Sequence, residues 1–407
     1  MPDWLHQLLT PWTTPFTLGA AVVGIAALCG LRGRRLALVA ALVAAGLGIW
    51  QAWKIGPPSG LLDLKIYVNS AHGWLDGRSL YDYRDNVFNL GATYPPIGPL
   101  LFLPFTPLTA DGREVLVTLL SLAALGGACW FTTGLAGIER NDRLTKALWF
   151  FALSVVSIPV WLTLRQGQIN IFLWFLILFD LNQLRKRTRY AGLGVGLATA
   201  IKLIPGLFLV WFALAKKWNA FITAIGMFIV ATGIGWILAP SDSRLYWTDL
   251  LWQSDRVGSV DDARNNSVYG IVSRSLSGNG TVLWILCVLL IVMVAAYRSF
   301  RAAKANDLLA VAAIVGAAAS AISPISWTHH LGFLLLALLC CWQSSTLRWQ
   351  KVLCLIAYIA LVGPSSHGDE IIWSSLRAIA LVAAVVATPI CVNRSQVSEL
   401  ENSKLTV

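Results

Sequence analysis

A few ionisable side chains stand alone beside or inside long apolar stretches of this chain. Asp63 follows one such stretch, and a partly desolvated carboxylate at a membrane boundary can serve as a general base near neutral pH. An aspartate at that place can equally cap the start of a helix. Lys202 lies in the middle of the apolar run 193–214, where a lysine costs roughly 2.5–3.5 kcal/mol on insertion scales. It therefore needs a partner, and a phosphate or a distant aspartate would serve.

A second polar segment, Arg165-Gln166-Gly167-Gln168-Ile169-Asn170, joins two apolar runs almost without a loop. Gly167 permits a tight turn there. Arg165 can pair with a phosphate, while Asn170 or the glutamines Gln166 and Gln168 can hydrogen-bond hydroxyls. The alternative is a polar turn whose arginine snorkels to the interface.

A third segment opens an apolar run with Ser323-Pro324-Ile325-Ser326-Trp327-Thr328-His329-His330. Adjacent histidines on a helix point about 100° apart, so they are poorly placed to chelate one metal ion. A proton relay or a phosphate contact is favoured over zinc. The alternative is a set of interface residues beside an anchoring Trp327. The sequence does not choose between the two histidines.

Two longer polar stretches and the short segment 367–370 complete the set. The segment 61–108 carries four aspartates and the tyrosines Tyr67 and Tyr94, which we expect to contact a substrate. The loop 240–280 contains Arg264 among several acidic and amide side chains, and it is a candidate lid or acceptor platform. The alternative is a loop whose charges are simply solvated.

The composition identifies the kind of protein that must hold these residues. Of its 407 residues, 57% are hydrophobic and 13% are charged, against about 25% charged in a soluble domain. The chain is therefore predicted to be an all-α polytopic membrane protein. Its net charge of +11 comes from short basic clusters between apolar runs, which indicates topology rather than nucleic-acid binding. The seven cysteines lack metal-ligand spacing with histidine, so no metal or redox cofactor is expected.

Runs of sufficient length to cross a bilayer recur along the whole chain. We predict spans near 15–32, 36–55, 113–136, 145–164, 169–184, 218–239, 281–298, 307–322, 327–344, 350–364 and 371–391. Basic clusters near residues 32–35, 140–146, 185–189, 298–304 and 348–351 are assigned to the cytoplasm.

This assignment requires two irregular segments. The stretch 95–108 is short and holds five prolines, so we expect a surface or partly inserted helix instead of a span. The stretch 190–215 has basic residues at both ends and Pro205 near Lys202. A re-entrant pair of half-helices fits this pattern, because irregular backbone at membrane depth is tolerated where it lines a cavity. One long kinked span is the alternative.

With this topology the polar segments meet on one side of the membrane. Residues 1–394 form one domain, the loops 56–112 and 240–280 lie outside the cytoplasm, and residues 395–407 form a cytoplasmic tail. The convergence predicts a single extracytoplasmic site in a multi-pass protein of the cell membrane. A flippase or transporter of a polar lipid would also use Lys202 and a broken helix, but it should carry polar groups on both faces. A structural assembly subunit would not explain Lys202.

The order of the motifs resembles that of a known family. The motifs are Asp63-Leu64-Lys65-Ile66-Tyr67, Gly77-Arg78-Ser79-Leu80-Tyr81, Thr93-Tyr94-Pro95-Pro96, Gly167-Gln168-Ile169-Asn170, Lys202-Leu203-Ile204-Pro205 and Ser323–His330. Together they resemble the actinobacterial membrane mannosyltransferases of the C-type glycosyltransferase (GT-C) fold. Those enzymes use polyprenyl-phosphate-mannose to add α-1,2-linked mannose to phosphatidylinositol mannosides, lipomannan or lipoarabinomannan.

The resemblance implies a bundle of about 11–13 helices, long enough to span a bilayer repeatedly, with a helical first extracytoplasmic loop. It also implies inverting transfer from the lipid-linked donor to a glycolipid, with Asp63 as the catalytic base and without a nucleotide sugar. A monomer in the lipid bilayer, free of metal and other cofactors, is expected. The predicted donor phosphate ligands are Lys202, Arg165, His329 and His330. The predicted substrate contacts are Tyr67, Tyr94, Gln168, Asn170, Arg264 and Trp327.

Overall fold

The structure is a computed structural model that describes residues 33–54, 61–276, 280–362 and 370–391. Within these ranges the chain is helical and contains no strand. The α-helices are α1 (Arg34–Lys54), α2 (Leu62–Leu75), α3 (Ile97–Leu100), α4 (Ala110–Leu135), α5 (Arg140–Val155), α6 (Ile158–Gln166), α7 (Asn170–Arg185), α8 (Leu193–Ile201), α9 (Gly206–Leu214), α10 (Trp218–Leu238), α11 (Pro240–Thr248), α12 (Val268–Ser275), α13 (Gly280–Lys304), α14 (Leu308–Ile322), α15 (Gly332–Ser344), α16 (Arg348–Leu361) and α17 (Glu370–Ala387). Short 3-10 helices lie at Leu103–Phe105, Leu250–Trp252, Ser254–Val257 and Thr328–His330.

The long apolar helices indicate a multi-pass membrane protein. In the described ranges, four helices (α4, α10, α13 and α17) are long and apolar enough to cross a bilayer. A fifth span results if α5 and α6, which are bent by 69° at the break between them, count as one. Every predicted span that falls within the described ranges coincides with a helix or a pair of helices. The predicted span 15–32 and the predicted tail 395–407 lie outside them.

The centre of the bundle is α14. Each residue from Leu308 to Ala321 is buried, and most of them are alanines or valines. A helix that is apolar on all sides must be enclosed by protein or lipid, and small side chains let neighbouring helices approach closely. α14 packs against α13, α15 and α17, and it thereby supports the segment Ser323–His330 that follows it.

The predicted break near Lys202 is present. α8 ends at Ile201, Lys202 has an extended backbone, and α9 begins at Gly206. The start of α8 is held by Asp180, whose buried carboxylate accepts hydrogen bonds from the backbone nitrogens of Gly194 at 3.1 Å and Val195 at 2.7 Å. The broken helix thus places a lysine at a fixed point among α7, α10 and the loops. That both ends of 190–215 face the cytoplasm stays a prediction.

The proline-rich stretch 95–108 differs from the single helix that the sequence predicts. It forms the one-turn helix α3 followed by a 3-10 turn, because each proline removes a backbone donor. The residues of α3 are buried within the protein, and the position of this stretch relative to the membrane stays a prediction. At Gly98 an added Cβ would lie 3.3 Å from the carbonyl oxygen of Ile201. This close approach brings Tyr94, one turn earlier, against the end of α8.

Candidate active site

A cavity of about 800 Å³ collects almost all of the predicted site residues. Its wall includes Asp63, Tyr67, Tyr94, Arg165, Gln168, Lys202, Arg264, Trp327, His329 and His330. Asn170 lines a small adjoining space behind Lys202. Segments that are remote in the sequence therefore meet at one site, as the sequence predicts.

Asp63 lies in the first turn of α2, where the helix dipole favours a negative charge. The residue at the cap position is Leu61, and no side chain caps this helix, so the capping alternative for Asp63 is wrong. Burial raises the pKa of Asp63 to about 6, while a hydrogen bond from Gln168 and the nearby Lys202 oppose the shift. A carboxylate with this pKa is ionised at neutral pH and can still accept a proton effectively.

The predicted tight turn between α6 and α7 is confirmed. Gly167 has a left-handed backbone with a φ of 66°, a conformation that costs little only for glycine. A Cβ at Gly167 would lie 2.6 Å from the Cβ of Leu64, the residue that follows Asp63. The missing side chain therefore lets the turn touch α2 and sets Gln168 beside the buried carboxylate.

Gln168 connects Asp63 to two buried tyrosines. Its Oε1 accepts hydrogen bonds from the hydroxyls of Tyr94 at 3.0 Å and Tyr67 at 3.2 Å. Because Oε1 is used in this way, the Nε2 group is the one that faces Asp63. Burial raises the pKa of Tyr67 well above its usual value, and that of Tyr94 is also raised, chiefly by burial. Both tyrosines are therefore neutral donors that hold Gln168 in position.

Lys202 is enclosed by side chains from three other segments. Its Nζ lies 3.2 Å from the hydroxyl of Tyr94, 3.1 Å from Oδ1 of Asn170 and 3.0 Å from Nε2 of His330. Asn170 also donates through Nδ2 to the carbonyl oxygen of His329 at 3.1 Å. The first residue of α7 thereby joins the lysine to the histidine segment.

The two histidines occupy a single 3-10 turn. Their rings are nearly perpendicular, with 87° between planes and 4.6 Å between centroids. Nδ1 of His330 accepts a hydrogen bond from the backbone nitrogen of Trp327 at 3.2 Å. Nε2 of His329 is buried without a hydrogen-bond partner in the part of the chain that the structure describes. In that part, no three His, Cys, Asp or Glu side chains are placed to hold a metal ion together.

The predicted arginines lie on the cavity wall apart from the lysine cluster. The Arg165 guanidinium lies 5.4 Å from the ring centroid of Trp161. Arg264 forms a 2.8 Å ion pair with Asp262 and lies 5.5 Å from the ring centroid of Trp327. These contacts leave the arginines beside aromatic rings, a lining suited to a sugar or a lipid headgroup.

The sequence reasoning placed Glu370 on the side of the site but missed the other residues of one cavity wall. Glu370, Trp373, Ser374 and Arg377 of α17 all line it. Their spacing of three, four and seven positions places them on one face of an otherwise apolar helix. A polar stripe at helical spacing was the signal that would have found them.

A bundle with membrane-length helices, in which a buried carboxylate and a lysine–histidine cluster line one cavity, has the components of a membrane-embedded group-transfer enzyme. Residues 92–324 match the family model described as glycosyltransferase family 87. The match includes Tyr94, Gln168 and Lys202, while Asp63 and the two histidines lie just outside it.

Similar proteins of known activity extend this match. The chain is 31% identical over 355 residues, 81% of each chain, to a polyprenol-phosphate-mannose-dependent α-(1-2)-phosphatidylinositol mannoside mannosyltransferase of Mycobacterium tuberculosis. It is also 31% identical over 289 residues, 69% of each chain, to a phosphatidylinositol pentamannoside mannosyltransferase of Mycolicibacterium smegmatis that depends on the same donor. No solved structure matches the chain.

The chain belongs to glycosyltransferase family 87. It is therefore a membrane glycosyltransferase, and the transporter and structural-subunit alternatives are not supported. Family membership agrees with the class of enzyme that the motif order predicts.

Proposed function

We propose that this enzyme transfers mannose from polyprenyl-phosphate-mannose to a phosphatidylinositol mannoside or a related glycolipid, forming an α-1,2 linkage with inversion. The observation that carries this proposal is the placement of Asp63 on the same cavity wall as Lys202, linked to it through Gln168 and Tyr94. A base and a phosphate-binding cluster on one cavity are the two groups that transfer from a lipid phosphate requires.

Asp63 acts as the general base. Its carboxylate removes the proton from the acceptor hydroxyl as that oxygen attacks the anomeric carbon of the donor. The bond between the anomeric carbon and the phosphate oxygen breaks, and its electron pair leaves with the polyprenyl phosphate. A single displacement of this kind inverts the anomeric centre. General-base assistance contributes about 100-fold to 10,000-fold to rates of this type.

Lys202 and the histidines hold the departing phosphate. Donors already fixed around the developing charge stabilise it without reorganisation during the reaction. Lys202 is 7% exposed and His330 is 8% exposed, so their interaction with an anion is weakly screened by water. Arg165 is a further cation on the same cavity and can approach a phosphate from the α6 side.

The aromatic lining of the cavity suits the acceptor. Trp161, Trp327 and Trp373 line the cavity together with Arg264 and Glu370. Aromatic faces pack against sugar rings, carboxylates accept hydrogen bonds from hydroxyls, and guanidinium groups donate hydrogen bonds to phosphodiesters. The basic clusters on the other connectors support an extracytoplasmic location for this opening.

The test is transfer by membranes or purified enzyme supplied with polyprenyl-phosphate-mannose and a phosphatidylinositol mannoside, with products followed by mass spectrometry. We expect the wild type to add one mannose and Asp63→Asn to lose about 100-fold or more of this activity. Asp249→Asn is the matched control because Asp249 is an exposed residue of the loop 240–280.

Full transfer by Asp63→Asn would remove Asp63 from the role of base. Failure of the folded wild type to transfer sugar from any lipid-linked donor would contradict the proposed function itself. Thermal unfolding of both variants, measured in the same detergent, separates a catalytic defect from a folding defect.

A further inference from the structure

The hydrogen bonds around Lys202 define its protonation state. Its Nζ has three polar neighbours, at 3.2 Å (Tyr94), 3.1 Å (Asn170) and 3.0 Å (His330). An ammonium group has three N–H bonds and needs three acceptors, whereas a neutral amine has two N–H bonds and one lone pair. The number of acceptors among these neighbours therefore distinguishes the two forms.

Two of the neighbours are acceptors. Asn170 donates through Nδ2 to the carbonyl oxygen of His329, so its Oδ1 is the atom that faces Lys202. Tyr94 gives its single hydroxyl proton to Gln168, which leaves the hydroxyl oxygen to accept from Lys202. These two acceptors use two N–H bonds of the lysine.

His330 is a donor. Its Nδ1 accepts the backbone N–H of Trp327 and so carries no proton, which places the proton of the neutral imidazole on Nε2. That N–H points at Nζ of Lys202 and needs a lone pair, which only the neutral amine has. The opposite tautomer would direct two N–H groups at each other and leave the Trp327 nitrogen without an acceptor.

We propose that Lys202 is a neutral amine in the donor-free enzyme and takes up one proton when the donor phosphate binds. This inference rests on the proposed function because its ligand is the phosphodiester of a lipid-linked sugar. As an ammonium, Lys202 has a third N–H that cannot face the N–H of His330, and a phosphate oxygen accepts it. The N–H of His330 is then free to donate to the same phosphate. The phosphate thus separates the two side chains and binds both.

Charge balance supports this coupling. A phosphodiester carries one negative charge, and burying an uncompensated anion is costly. Uptake of a proton at Lys202 adds one positive charge that compensates the charge of the phosphodiester. The titratable or charged groups nearest to Lys202 are Asp63 on α2, Tyr94, and His329 and His330 on the 3-10 turn, with Arg165 further along the cavity wall. The charge of Asp63 favours the ammonium, but its hydrogen bonds reach Lys202 only through Gln168 and Tyr94, whereas His330 is in direct contact.

The experiment is isothermal titration calorimetry of a short-chain prenyl-phosphate-mannose into the full-length enzyme in detergent at about pH 8, in two buffers with different ionisation enthalpies. The phosphodiester does not titrate near this pH, so any linked proton belongs to the protein. We expect the apparent binding enthalpies to differ by the amount that corresponds to uptake of about one proton per donor.

Two variants and one control isolate the source of the proton. Lys202→Met should bind the donor at least tenfold more weakly, with no proton uptake. In His330→Gln a side-chain carbonyl can accept from Lys202, so the lysine is already an ammonium, and donor binding should proceed with little or no uptake. The control Lys146→Met removes an exposed lysine and should retain an uptake of about one proton.

The outcomes separate this inference from the proposed function. Donor binding by the wild type without proton uptake, or full uptake by His330→Gln, would overturn the neutral-amine assignment and leave the transferase proposal intact. The absence of donor binding by the folded wild type, together with the absence of mannosyl transfer, would overturn both.

Discussion

Gln168 donates a hydrogen bond to Asp63 through its amide nitrogen, while its carbonyl oxygen accepts hydrogen bonds from the hydroxyls of the buried Tyr67 and Tyr94. The orientation of the amide is therefore determined by the tyrosines and not by the solvent. A carboxylate held in this way has one fixed donor and a remaining surface open to the cavity, which is the geometry that a general base needs.

The pH dependence of transfer should report the ionisation of Asp63. Burial raises its pKa to about 6, and only the carboxylate can accept the hydroxyl proton. Activity should therefore be near its maximum above pH 7, fall to about half near pH 6 and decrease about tenfold by pH 5. The measurement is kcat/KM for the acceptor at saturating donor between pH 5 and 8, and a flat profile over this range would contradict the assignment.

Asp63→Asn should cost activity without costing stability. Because the pKa of Asp63 is raised in the folded state, the folded protein binds more protons than the unfolded chain between about pH 4 and 6. The contribution of this group to stability therefore decreases as the pH rises through that window. At pH 7.5 we expect the unfolding temperature of Asp63→Asn to be no lower than that of the wild type. An increase of about 2 °C or more is consistent with the loss of a buried charge. A lower unfolding temperature would indicate that the ionised carboxylate has a structural role.

Replacement of Gln168 should shift the pH profile. Gln168→Leu removes the donor that favours the carboxylate, so the pKa of Asp63 should rise by about one unit, equivalent to about 1.4 kcal/mol. Transfer at pH 6.5 should fall more than transfer at pH 8. Gln168→Glu, which adds a second acid, should shift the profile further in the same direction. Equal losses at both pH values would mean that Gln168 only maintains local packing.

Gly167→Ala should disrupt the site through the backbone. The left-handed conformation alone costs an alanine roughly 1–2 kcal/mol, and its Cβ would overlap the Cβ of Leu64 at 2.6 Å. We expect a lower unfolding temperature and a transfer rate reduced by at least tenfold. The matched control is Gly126→Ala in α4, where a Cβ meets nothing within 4 Å. Unchanged activity in Gly167→Ala would show that the turn does not position Gln168.

Accessibility labelling tests the predicted sidedness. Ser259 lies in the exposed part of the 240–280 loop, and Asn141 lies at the start of α5 beside the basic cluster 140–146. A membrane-impermeant maleimide applied to intact cells should label Ser259→Cys and should leave Asn141→Cys unlabelled until the membrane is opened. Both variants need a background in which the exposed Cys391 is replaced. The reverse pattern would place the cavity on the cytoplasmic side.

The sequence was sufficient to predict those residues whose type is energetically unfavourable or unusual among their immediate neighbours in the chain. A lone lysine in an apolar run, an aspartate beside a span and a glycine between two helices each indicate a special position without knowledge of the fold. Lys202, Asp63 and Gly167 were found in this way, and the helices follow from runs of apolar residues.

The partners of these residues could not be predicted in the same way. That Asn170 and Gln168 contact a substrate stays a prediction; the sequence did not indicate that their side chains also connect Lys202 to His329 and Asp63 to Tyr94. Such links depend on which loops meet in space, and hydropathy contains no information about that. The packing of α3 against α8 and α10 likewise depends on which segments meet in space.

The lysine cluster also has a consequence for how the protein is made. Asn170 and Tyr94 precede Lys202 in the chain, but His330 is synthesised much later, after α14. During insertion into the membrane, Lys202 therefore lacks its contact with His330 until the later helices are synthesised. An unfinished chain therefore contains a polar amine that lacks one of its hydrogen-bond partners. Completion of the fold coincides with completion of the donor site. Chains that stop before α14 should be inactive and readily recognised by membrane quality control.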